Sequence, residues 1–470
     1  MLDNVKSKYI IEEIFEKIKN KRKLNIIKYN KRTLSRLNIN IENFEIYEKL
    51  KEFYDKYGIY IEDIDIKDLN LNKKYIGNKG LKDLVEIIFK ELKELKELNL
   101  SYNQITDIKD LEKANLEKLN KLNLSNNRIA NINILGKVNF EELKELDLSH
   151  NEYLNVSLLE GVNFKHLEKL NLASNIIFNI DFLEKLNFKE LKELNLSENK
   201  IPDINFLEKL NFKELKELNL SWNKISDINV LEKVDFKILK VLNLHDNKIS
   251  DINIFAKVDF KELNILYLGI NEISDINILE KVDFKELKEL YLFNNEISDI
   301  SVLKNVNFKG LKVLNLSCNY IPDINILEKV NFKELQELNL SSNNISDINI
   351  LDKVDFKELQ ELDLSFNKIT DINIFEKVDF KKLKILKLQN NQISDINILK
   401  KVDFKGLKVL KLQNNQITDI NIFEKVDFKE LKELDLRKNK ISDISVLEGL
   451  NFKELKELDL RDNKILDLIF

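Results

Sequence analysis

The sequence predicts an α/β solenoid: parallel strands stacked along one wall, short helical turns along the other, and a small helical region at the N-terminus. Three observations carry this. From Leu95 onward the chain repeats every 24 residues without insertion or deletion, in sixteen copies that begin at Leu95, Leu119 and so on to Leu455. One column, Asn103 through Asn463, is Asn in every copy. Within each copy the apolar spacing changes from two residues to three, the signature of a short strand followed by tight turns of helix.

Each element of the unit has a physical reading. Leu98 and Leu100 flank Asn99, so a strand buried on one face begins each repeat. Asn103 follows where the chain turns, and its amide supplies both donors and an acceptor to the turn backbone. Ile105 returns to the core. Ile108, Leu111 and Ala114 (Val in most later copies) stand three apart, as one or two tight helical turns require. Thr106-Asp107, or Ser226-Asp227, reads as the start of that turn. A Phe column from Phe140 to Phe452 precedes the next strand. One such unit buries too little apolar surface to offset the entropy of ordering it, so stability must come from stacking.

These residues resemble a leucine-rich repeat protein; LKELNLSWNKISD at 215–227 would serve as a family consensus. The resemblance covers residues 95–470. It implies an arc with a parallel sheet on its concave face, short helical turns on its convex side, and a ladder of Asn side chains bonded to neighbouring turns. The SDIxxLExV segment is similar to the internalin-type or phosphatase-regulator class, with a slightly longer convex turn. Before the array, Ile66, Leu69, Leu71 and Ile76 match the strand columns, and residues 76–92 read as one amphipathic helix. The 29-residue step from Ile66 to Leu95 is similar to ribonuclease-inhibitor-type repeats, and Lys74 stands in place of the ladder Asn. Residues 61–94 are therefore a divergent capping repeat. At the other end, residues 466–470 close without a polar cap, which implies an exposed core edge or self-association there.

Residues 1–60 form a separate helical region. Three apolar stripes predict three short helices: Ile10, Ile11, Ile14, Phe15 and Ile18; Leu24, Ile27, Leu34 and Leu37; Tyr47, Leu50 and Phe53. One reading is a cap on the first repeats. In the other, Ile14-Phe15, Ile18 and Leu24 resemble a degenerate F-box, with Lys6-Ser7 in place of the opening Leu-Pro and no closing Trp. That resemblance implies a substrate receptor of a cullin-type ubiquitin ligase, with the ligase adaptor at these helices.

Composition excludes several function classes. One cysteine in 470 residues makes no internal disulfide, and three histidines leave little for a zinc site, so no metal and no cofactor is expected. Residues 1–40 hold 11 Lys/Arg against 4 Asp/Glu, while the remainder is mildly acidic, within a net charge of −5. Such a body does not present the basic face that nucleic acid requires. No 18-residue apolar run predicts a membrane span and no signal-like segment opens the chain, so the expectation is a cytoplasmic protein without membrane contact. His150 and His166 fall on opposite walls of their repeats, and Cys318 reads as a small filler on the rim. No catalytic constellation emerges, and the chain reads as a non-enzyme.

Function must then lie on the exposed strand face. Its positions are those of Glu97, Asn99 and Ser101, with Tyr102 and Gln104 at the rim, and most copies hold polar residues there. Between the sixth and tenth repeats Trp222, Val241, His245, Ile265, Tyr267, Ile270, Tyr291, Phe293, Val313 and Tyr320 replace that background. By register Val241, Ile265 and Val313 share a column, and Tyr267 and Tyr291 are direct neighbours. A clustered apolar-aromatic patch marks a protein partner surface, and Trp and Tyr are its usual anchors. A second shift, to Ile385, Lys387, Gln389, Val409, Lys411 and Gln413, either extends the footprint or records duplication of two repeats. The expected function is a protein–protein interaction module gripping its partner on the concave face.

Overall fold

The computed structural model describes residues 49–50, 52–59, 66–89, 92 and 94–465, apart from positions 153, 163, 187, 211, 403, 427 and 450–452. The F-box-like stretch and the closing residues 466–470 lie outside these. Two compact units divide the chain, residues 1–199 and 200–470.

In the first unit six three-residue strands, from Asp68–Asn70 to Glu193–Asn195, pair in parallel, each with the next along the chain. Leu69 stands opposite Leu98, 29 residues on, and Leu98 opposite Leu122, 24 residues on. The change of step is thus absorbed between strands without loss of register. The extra residues of the first repeat form a helix, Gly77–Leu84, that widens into a π-helical turn over Val85–Phe89. The sequence predicts one uniform helix through residue 92. The wider turn instead brings Val85, Ile88 and Phe89 together into the core. Residues 52–57 are helical too, and Leu50 and Phe53 are buried. Tyr57 Oη donates to the Asp83 carboxylate at 2.6 Å, and Lys56 pairs with the same group. This last part of the N-terminal region is therefore tied onto the first repeat's helix.

In the second unit eleven parallel strands run from Glu217–Asn219 to Glu457–Asp459. Leu218, Leu242, Leu266 and their successors to Leu434 point inward and are fully buried. On the opposite wall each repeat makes a short 3-10 turn, such as Asn229–Lys233, that buries Val230 and Leu231. Phe212, Phe236, Phe260, Phe284 and Phe308 stack in a row with ring centroids 6.1 to 6.5 Å apart. An Asx turn leads into the 3-10 turn: Asp227 Oδ1 accepts from the Asn229 N–H at 2.8 Å, and Asp251, Asp275 and Asp299 repeat the contact. Of the Thr/Ser-Asp pair, the carboxylate is the member that makes this bond.

The Asn column acts as the sequence predicts. Asn247 Nδ2 donates to the carbonyls of Leu244 and of Leu220 in the preceding coil, while its Oδ1 accepts from the Ile225 N–H at 3.0 Å. One amide thereby satisfies buried backbone from two successive turns, where water cannot reach. The first repeat, with Lys74 in the ladder position, receives from the next repeat's Asn the same bonds that later repeats receive from theirs. Asn103 Oδ1 accepts from the Lys74 and Ile76 N–H groups, and its Nδ2 donates to Leu71 O.

Candidate partner-binding face

The face lies within the second unit, on the outward side of its sheet. The register sets Val241 beside Ile265, Ile265 beside Glu289, Glu289 beside Val313 and Val313 beside Glu337. The apolar column is therefore interrupted once, by Glu289. One column over, Tyr267 and Tyr291 are register partners, and their rings stack at 4.6 Å with only 10° between planes. Tyr291 Oη donates to Glu289 at 2.9 Å, so the carboxylate that breaks the apolar column is bound by the aromatic one. Burial first, then that carboxylate, pushes the Tyr291 hydroxyl far above the ordinary tyrosine range.

A second aromatic group crosses four repeats. Phe293 does not stand over its own turn. Its ring lies over Gly269, where an added Cβ would stand 2.5 Å from it, and meets His245 beyond at 5.2 Å. His245 in turn takes the edge of Trp222 at 5.8 Å and 73°. Gly269 is the residue that sequence reasoning passed over. It replaces the Ser common in its column and clears the path for Phe293. The available signal was a Gly between two ring-bearing residues at 24-residue steps. His245 Nδ1 is buried without a hydrogen-bond partner.

Trp222 and Ile270 occupy a column whose backbone is left-handed throughout the repeats, with φ of 56° and 52°. Asn, Asp and Ser fill half of that column, as suits a conformation that β-branched residues rarely adopt. Ile270 is thus held at a conformational cost, a mark often found where exposure serves function. Replacing Ile270 with Asn should raise stability by about 1 kcal/mol, because Asn tolerates the left-handed region. A thermal midpoint that stays level or falls would remove strain as an explanation there.

Eight of the ten predicted residues are half-buried or line up with such residues along the sheet, whereas Trp222 and Tyr320 are more than half exposed. Ring contacts or strand register connect eight of them, all but Ile270 and Tyr320. Tyr320 is set apart: it projects from the rim with no ring contact among the described residues. Phe366, 54% exposed in the Trp222 column, is a rim aromatic the sequence reading did not single out. Cys318 sits exposed in that column, so it fills nothing. In the first unit Phe178 is also exposed, beside Ile176.

Past the patch the face is charged. Lys387 Nζ binds Glu361 at 2.6 Å and lies 3.7 Å from Asp363, and Lys411 pairs with Glu433. Gln389 and Gln413 each bury an Oε1 with no hydrogen-bond partner. The Lys and Gln shift is thus partly compensated from within. Among the described residues no group of three or more His, Cys, Asp or Glu is placed to hold a metal ion, and no helix is long and apolar enough to cross a membrane.

Comparison with known proteins gives the family. The pattern described as leucine rich repeats (2 copies) matches residues 285–329, 333–377, 381–425 and 429–469. Two further leucine rich repeat patterns match residues 70–129 and 214–228. An internalin (inlF) from Listeria monocytogenes is 30% identical over 64% of this chain and 83% of its own, with a TM-score of 0.55. The chain belongs to the leucine-rich repeat family. A leucine-rich repeat protein of Leptospira interrogans is 25% identical over 80% of this chain and 98% of its own, with a TM-score of 0.61. The plant peptide hormone receptor RGFR1, solved in complex with RGF2, shares the fold at 21% identity, covering 81% of this chain and 64% of its own with a TM-score of 0.54. No curated protein matches the sequence. The leucine-rich repeat fold accounts for the 24-residue step, the Asn ladder and the parallel sheet at once.

Proposed function

We propose that this leucine-rich repeat protein is a non-enzymatic binding module that grips a protein partner on the strand face of its second unit. The observation that supports this most is the continuity of the aromatic patch. The Tyr267–Tyr291 stack and the Trp222–His245–Phe293 chain occupy neighbouring columns of one sheet, beside Val241, Ile265 and Val313. Folding alone does not call for rings on the outward side of a sheet whose other repeats hold mostly polar or charged residues there, Asn and Ser foremost. Rings that are half-buried and braced against each other lose little freedom on binding, which favours affinity.

The same reading keeps the protein in the cytoplasm, where an exposed free thiol such as Cys318 stays reduced. The test is capture from a native lysate by the full chain and by a variant carrying Y267N, Y291N and F293S. Capture by the wild type alone is the expected outcome. Equal capture by both removes this face as the binding site.

A further inference from the structure

The binding reading leaves the partner's chemistry open, and the electrostatics of the face narrow it. Four carboxylates lie within or just beyond the aromatic patch: Glu289, Glu337, Glu361 and Asp363. Three are compensated within the chain. Glu289 accepts from Tyr291 Oη, Glu361 from Lys387 Nζ, and Asp363 from the Ser365 hydroxyl at 2.6 Å. The Glu337 carboxylate alone has no hydrogen-bond or ion-pair partner among the described residues. It is half-buried, with Val313 on one side in register and Glu361 on the other. Burial, then the charge of Glu361 and more weakly those of Glu289 and Asp363, push its carboxyl above the ordinary range, with only Lys387 opposing. A carboxylate set at the edge of an apolar column, beside like charges, gains from any cation brought to it, and much of its desolvation is complete before binding.

We infer that the partner presents an extended segment with a Lys or Arg close to an aromatic or aliphatic anchor, the anchor seated on Tyr267 and Tyr291 and the cation on Glu337. This rests on the binding reading above. The strand of Tyr291 lies two strands from that of Glu337, about 10 Å at ordinary sheet spacing. An extended segment covers that distance in about three residues. Anchor and cation therefore belong to one short stretch of chain. A purely apolar partner would bury Glu337 uncompensated, and an acidic one would meet three more carboxylates.

Random 12-residue peptides displayed on phage, selected on the immobilised full chain, test this directly. Enrichment of Lys or Arg two to four positions from an aromatic or aliphatic residue is expected. A synthetic peptide from that set should bind E337Q about tenfold or more weakly, and should fail to bind the variant carrying Y267N, Y291N and F293S. The Glu337 side chain makes no hydrogen bond among the described residues, so E337Q leaves the fold intact, as circular dichroism will verify. Peptides that need the aromatic residues but bind E337Q as tightly as wild type overturn the cation assignment and leave the binding reading standing. Peptides that bind the aromatic variant equally well, or a failure to enrich any peptide, overturn both.

Discussion

Replacing Asn247 with Ala should lower stability by about 1–3 kcal/mol, because the buried Ile225 N–H loses its acceptor outright, while Leu220 O and Leu244 O each lose one of two side-chain donors and keep those of Asn223 and Asn271. The amide donates to Leu220 O at 3.0 Å and Leu244 O at 3.1 Å, and accepts from the Ile225 N–H at 3.0 Å. The site is 8% exposed, so water does not replace those bonds. Repeats in a solenoid are coupled chiefly to their neighbours, so the damage should stay local at first. Amide hydrogen exchange would rise around Leu220 to Leu244 before it rises elsewhere. Asn247→Asp keeps the acceptor but loses both donors and places a charge in the core, so it should be no milder than Ala. A thermal midpoint unmoved by either substitution would mean that the ladder does not stabilise this coil.

The largest functional effect belongs to the face itself. The variant carrying Y267N, Y291N and F293S should lose partner affinity by about 100-fold or more, since truncated aromatic anchors at interface centres commonly cost 2 kcal/mol or above each. The substitutions restore the residues commonest in those columns, as Asn219, Asn315 and Ser317 show. The fold should therefore persist, and near-native circular dichroism is part of the expected result. Phe293 matters beyond its own contact area. Its removal uncovers Gly269 and releases His245, which alone links Trp222 to the rest of the patch.

Much of this architecture was legible in the residues. Leu98 and Leu100 set the strand, Asn103 the turn and Phe140 the back wall, and a fixed step of 24 carried each assignment through the array. That same step placed Tyr267 against Tyr291, because strand neighbours in a parallel solenoid are one repeat apart. What lay beyond it was any feature decided by side-chain reach or backbone dihedral. Phe293 spans two repeats, and only the missing Cβ of Gly269 permits it. The left-handed backbone beneath Trp222 and Ile270 follows from the turn geometry, not from those residues' own preferences. The π-helical turn at Val85–Phe89 arises where two repeat lengths meet, and a pattern of apolar spacing does not distinguish it from an α-helix.

Trp222 is the one tryptophan in the chain, which gives the central claim a direct readout. Protein labelled with 5-fluorotryptophan carries a single fluorine resonance at the edge of the aromatic patch, whatever tryptophans a partner contains. Addition of the captured partner should shift or broaden that resonance in proportion to the fraction bound, and the Y267N, Y291N, F293S variant should show no change. A resonance that stays in place while an independent measurement reports saturated binding would put the partner elsewhere and contradict the account.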